Sequence, residues 1–88
     1  MTASIAPVLA AGPVCQPADA DLFTGPGFDE SEPVRQAREA RAKAICHTCP
    51  ARPECLDYGL ALQPTEGVWA GYTAWELYRL SYLLKKVA

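Results

Sequence analysis

The chain has 88 residues, one domain at most, and a core of that size supplies only a few kcal/mol, so a staple is expected: disulfides, a metal or a partner. Net charge is −2 and the pI about 5.2 with no basic tract, which leaves a weak electrostatic footprint for an autonomous DNA binder. No apolar run approaches the length of a membrane span.

Residues Met1 to Val14 are Ala/Pro-rich and carry no charged side chain. They are expected to form a flexible arm, with the domain running over residues 15–88. Ser4 to Ala11 is mildly apolar, but no Lys or Arg precedes it and Pro7 interrupts it, unlike a signal peptide. A cytoplasmic location follows. In that reducing compartment a cysteine set more often binds a metal or cycles between redox states than forms permanent disulfides.

Cys15 to Phe28 reads as irregular structure, anchored by Leu22, Phe23 and Phe28. Ser31-Glu32-Pro33 is a helix start, with Ser31 or Glu32 as cap and Pro33 in the first turn. Val34 to Ile45 then reads as a helix. Val34, Ala37, Ala40, Ala44 and Ile45 are assigned to its inner side, and Arg35, Gln36, Glu39 and Lys43 to a solvated face. Pro53 starts a second helix that Pro64 ends, with Leu56, Leu60 and Tyr58 inward and Gly59 permitting a close approach. Gly67-Val68-Trp69-Ala70-Gly71 is a tight turn or short hairpin. Thr73 and Glu76 form a capping box that opens a third helix, on which Leu77, Leu80 and Leu84 make a stripe. The fold class is a small all-α, mainly helical domain: three helices plus the G-V-W-A-G turn.

The cysteines are spaced Cys15-x30-Cys46-x2-Cys49-x5-Cys55. Two residues between Cys46 and Cys49 let both sulfurs reach one centre, in zinc sites, iron–sulfur sites and redox dithiols alike. Zinc ribbons favour two separated close pairs. A distant single cysteine plus a compact triplet suits a cubane cluster, whose four irons each need one thiolate. The pattern favours iron–sulfur over zinc, with the disulfide form third. A thioredoxin-like dithiol would follow a strand, whereas a helix precedes Cys46. Four cysteines already complete a coordination set, so His47 is left out of it. There is no paired acid in a pocket motif and no phosphate-cradling glycine loop, so no catalytic site and no small-molecule substrate are expected.

Four features together resemble the WhiB-like (Wbl) family over Cys15 to about Arg79. They are Cys15 followed by the acidic, aromatic loop to Phe23; Cys46-x2-Cys49-Pro50-x4-Cys55; the apolar helix Leu56 to Leu62; and the Gly67-to-Gly71 turn, similar to the family's G-[VI]-W-G-G. The resemblance implies a [4Fe–4S] cluster on Cys15, Cys46, Cys49 and Cys55 that responds to oxygen and nitric oxide, and a disulfide-prone form once it is lost. It also implies binding to the carboxy-terminal domain of the principal sigma factor of RNA polymerase. Phe23, Gly67, Val68, Trp69 and Gly71 are the candidate contacts. Trp69 on its turn suits an interface anchor and equally suits a tryptophan closing the core.

The chain departs from the family pattern in three places. Thr24-Gly25 stands where the family tends to a second aromatic and a proline, and Ala70 replaces a glycine of the turn. The third is the absence of an Arg/Lys-rich tail after the turn, so DNA contacts transfer to no residue. Short family members also occur on phages, which makes modulation of a host paralogue a further expectation. The readings of a different class are a structural zinc module and a thiol–disulfide oxidoreductase using Cys46 and Cys49.

Overall fold

A computed structural model describes residues 4–15, 19–25 and 29–87. Its elements are α1 (Ala6–Ala10), α2 (Ala20–Thr24), α3 (Glu32–His47), α4 (Arg52–Leu62), β1 (Val68–Trp69), β2 (Tyr72–Thr73) and α5 (Ala74–Val87). The three long helices and the hairpin stand where the sequence places them. Two short helices are additional. α2 occupies part of the stretch expected to be irregular, and α1 lies within residues 1–14, with Val8 buried and the helix packed on α4. The anticipated anchor Phe28 lies outside the described residues.

Local chemistry explains the helix ends. The Ser31 hydroxyl accepts from the Val34 N–H at 3.4 Å, and Pro33 sits in the first turn, where its missing N–H costs nothing. α4 ends at Gln63, whose φ of 55° is left-handed, one residue before Pro64. At the start of α5 the Thr73 N–H donates to Glu76 Oε1 at 2.8 Å, and the Glu76 N–H donates to Thr73 Oγ1 at 3.2 Å. This is the reciprocal capping box. Glu76 also meets Lys43 Nζ at 2.8 Å, which ties the start of α5 to α3.

The inner side of α3 is not the expected one. Val34 is 56% exposed, and Ala37, Ala40 and Ala44 are exposed as well; of that set only Ile45 is partly covered. The side facing the molecule carries Arg38, Ala42 and Cys46, four residues apart. Arg38 points inward because it is neutralised there. Its guanidinium binds Glu30 at 2.6 Å and donates to the Leu22 carbonyl at 3.1 Å. A paired arginine can lie on a buried stripe, and simple apolar periodicity does not register it.

The core is small. Ala42, Cys46 and Val68 are buried together, and Leu22 and Phe23 of α2 pack on them. The Ala42 methyl lets α2 and β1 approach α3 closely. Leu77, 1% exposed, joins α5 to α4 at Gly59. A Cβ on Gly59 would stand 3.1 Å from Leu77 Cδ1 and 3.4 Å from Trp69 Cβ, so this glycine makes room for side chains. Farther along α5, Leu84 is 48% exposed, and the stripe begun by Leu77 opens to solvent.

Candidate metal centre

Cys46 lies in the last turn of α3 and is buried. Thr48 caps that helix, and the chain turns at once: the Cys49 N–H donates to the Cys46 carbonyl at 3.0 Å, and the Arg52 N–H to the Cys49 carbonyl at 3.2 Å. The Cys55 N–H donates to the Ala51 carbonyl at 2.8 Å, in the first turn of α4. The Cys46-to-Cys55 segment is thus wound by two helix ends and the turns between them. Pro50 and Pro53 suit such a path, because each fixes φ and removes a donor.

Cys15 reaches the same place from the amino-terminal side. All four cysteines line one cavity of about 260 Å³, together with Phe23, Tyr58, Val68 and Trp69. Cys15 is exposed, Cys49 and Cys55 are half-buried, and all four are free thiols. His47 is exposed and does not line the cavity.

The hairpin closes one wall. Val68 pairs with Thr73 and Trp69 with Tyr72, leaving Ala70 and Gly71 as a two-residue loop. Their φ values of 55° and 90° are both positive, as a type I′ turn requires. Ala70 therefore occupies a left-handed position, where a glycine would fit without strain. Its methyl is 2% exposed, and that burial offsets part of the strain. The tight turn leaves the N–H groups of its two loop residues free of the ladder, available to an anion or a sulfur. The Ala70 N–H points to the Cys55 sulfur and the Gly71 N–H to the Cys46 sulfur.

Burial raises the Cys46 and Cys55 pKa values, and the N–H groups of the turn act in the opposite direction without cancelling it. Each thiol is also raised by the charges of neighbouring cysteines. Two thiols that resist becoming free thiolates, on a cavity shared with two more sulfurs, suit a cationic guest that would neutralise them.

Among the described residues no group of three His, Cys, Asp or Glu side chains could hold a metal ion. All four cysteines nevertheless line the one cavity. Four soft sulfur donors are a ligand set that an iron–sulfur group takes, as zinc also does.

The candidate partner contacts gather at the same wall. Phe23, Gly67, Val68 and Trp69 line the cavity, and Gly71 adjoins it. Val68 is buried in the core beneath the hairpin, while the other four are partly exposed. Trp69 is half-buried, 6.1 Å from Tyr58 between ring centroids, and its Nε1–H donates to the Glu66 carbonyl at 2.9 Å. The indole folds back over Gly67, whose φ of 95° leaves the space it needs.

Sequence reasoning missed Arg52, Tyr58 and the amino-terminal residues Ile5, Val8 and Pro13, all of which line the cavity. For Arg52 a signal was present: it is a lone cation between Cys49 and Cys55. No helix among the described residues is long and apolar enough to cross a membrane.

The family model described as "Transcription factor WhiB" matches residues 10–80. The transcriptional regulator WhiD of Streptomyces coelicolor is 42% identical over 59 residues, which are 67% of this chain and 52% of that protein. The redox-responsive transcriptional regulator WhiB3 of Mycolicibacterium smegmatis is 33% identical over 58 residues, 66% of this chain and 59% of that protein. The transcriptional regulator WhiB1 of Mycobacterium tuberculosis is 40% identical over 58 residues, 66% of each chain. The matched region thus spans about half to two thirds of the length of these relatives.

Proposed function

Since the chain belongs to the WhiB family of transcription factors, we propose that Cys15, Cys46, Cys49 and Cys55 hold a [4Fe–4S] cluster and that the protein is a transcriptional regulator read out through it. One observation carries this reading: Cys15 and the three cysteines of the Cys46-to-Cys55 segment line one cavity. When bound, the cluster supplies a redox- and nitric-oxide-sensitive centre. The four thiolates tie the amino-terminal segment, α3 and α4 together, so loss of the group loosens the fold that presents the hairpin.

The output we propose is binding to the carboxy-terminal domain of the principal sigma factor, in the cytoplasm, with any DNA contact dependent on sigma. The partly exposed wall of Phe23, Gly67, Trp69 and Gly71 adjoins the sulfurs, which supports it as the contact face. The domain is taken as residues 15–88, with the described residues 4–14 laid against it.

Anaerobic purification tests the cofactor. The expected product is brown, with about four irons and four sulfides per chain. Colourless protein with one zinc overturns it. A pull-down with the sigma domain, before and after exposure to air, tests the partner: retention of the loaded form alone is expected, and equal retention of both forms refutes it.

A further inference from the structure

Among the described residues lining the cavity, Arg52 is the one Asp, Glu, Lys or Arg. It does not face solvent freely. Its Nε–H donates to the Ala70 carbonyl at 2.9 Å, and its Nη2 would stand 3.0 Å from a Cβ placed on Gly71. The two residues it touches are the ones whose N–H groups point to Cys55 and Cys46.

We infer that Arg52 is a positioning residue that braces the 70–71 loop against the sulfurs and acts as counter-cation to the thiolate-bound group. This rests on the reading of the cavity as an iron–sulfur site.

The reasoning is geometric. A peptide unit held at its carbonyl cannot freely rotate its N–H. The Ala70 carbonyl shares its peptide unit with the Gly71 N–H, so the Arg52 bond fixes the N–H that points to Cys46. Ala70 also occupies a strained left-handed conformation, so the loop needs an external tie to stay there. Arg52 begins α4, three residues before Cys55, so the tie belongs to the element that supplies a sulfur. Trp69 directly precedes the loop. The conformation of the tryptophan turn is thereby linked to the sulfur site through one side chain.

Charge gives a second consequence. Hydrogen bonds to sulfur and nearby positive charge favour the more reduced, more negative state of an iron–sulfur group. Arg52 supplies the charge directly and the N–H groups through the brace.

The test compares the full chain with Arg52→Met and Arg52→Lys, each anaerobically loaded with iron and sulfide and also iron-free. Hydrogen exchange is read at the Ala70 and Gly71 amides, with Ala42 in α3 as reference. Both variants are expected to lose about tenfold of the protection at Ala70 and Gly71, the worth of one hydrogen bond to a charged group, with Ala42 unchanged. The reduction midpoint of the loaded protein is expected to move to more negative values in Arg52→Met and to return most of the way in Arg52→Lys.

Parent-like exchange at Ala70 and Gly71 in Arg52→Met overturns the brace. Should circular dichroism show that variant unfolded, Arg52→Lys decides by the same criterion. A midpoint indifferent to both substitutions overturns the counter-cation role. If the parent takes up no iron, the cluster reading and the counter-cation role fail together, while exchange in the iron-free chains still decides the brace.

Discussion

The Arg38 guanidinium grips the Glu30 carboxylate through Nη2 at 2.6 Å and Nε at 3.0 Å, with side chains only 16% and 13% exposed. From Nη1 it also holds the Leu22 carbonyl at 3.1 Å, and so binds α2 to α3. Phe23, the neighbour of Leu22, lies on the cavity wall. Removing one partner of such a shielded pair leaves the other charge uncompensated. Arg38→Met is therefore expected to cost about 3 kcal/mol. Urea unfolding under anaerobic, reducing conditions measures it. The double variant with Glu30→Gln should recover much of the loss, since the penalty lies in the orphaned carboxylate.

Gly67 gives a second prediction. Its φ is 95°, and a Cβ there would stand 3.0 Å from Trp69 Nε1 and 3.3 Å from the Phe23 carbonyl oxygen. The indole could swing away only by losing its bond to the Glu66 carbonyl. Backbone strain and the displaced indole together set the cost of Gly67→Ala at roughly 2 kcal/mol. Urea unfolding should show that loss. Emission from Trp69, measured in a Trp75→Phe background, should shift to the red.

Glu76 sets a pH dependence. Partial burial pushes its carboxyl pKa up, but hydrogen bonds from Lys43 and the Thr73 N–H outweigh it and hold the value below the ordinary 4.5. A depressed folded-state pKa stabilises fully above the unfolded value and is lost as pH falls through the folded one. The stability difference between the parent and Glu76→Gln should thus be constant near neutrality and shrink below about pH 4.5. The side chain is 42% exposed, so solvent screening holds the difference below about 1 kcal/mol. Urea midpoints across that pH range give the comparison.

Much of this was legible in the chain because its signals are local. Ser31-Glu32-Pro33, Thr73 with Glu76, and the glycines around Trp69 each act on their own few residues, so the long helices and the hairpin follow from short windows. The convergence of Cys15 on the triplet was legible from spacing and family resemblance. The inner face of α3 was not. It is set by a long-range pair, Arg38 with Glu30, and by the small Ala42, and periodicity counts the first as polar and the second as interchangeable with Ala40. Arg52 was missed for a related reason: its role depends on the Ala70 carbonyl, 18 residues away.

The two tryptophans should behave oppositely. Trp75 is 65% exposed, and the Arg79 guanidinium lies 4.9 Å above its ring. An exposed pair of this kind contributes little, so Trp75→Ala should change stability by no more than about 1 kcal/mol. Trp69 packs on Tyr58, closes the hairpin over Gly67 and walls the cavity. Trp69→Ala should cost about 2 kcal/mol or more, because the space it leaves opens between α4 and the sulfurs. Water and oxygen then reach the site more readily. In air, the visible absorption of the loaded Trp69→Ala protein should decay faster than that of the parent, while Trp75→Ala should match the parent. Equal decay in all three would mean that the indole shields nothing and that its place is on the partner's side of the wall.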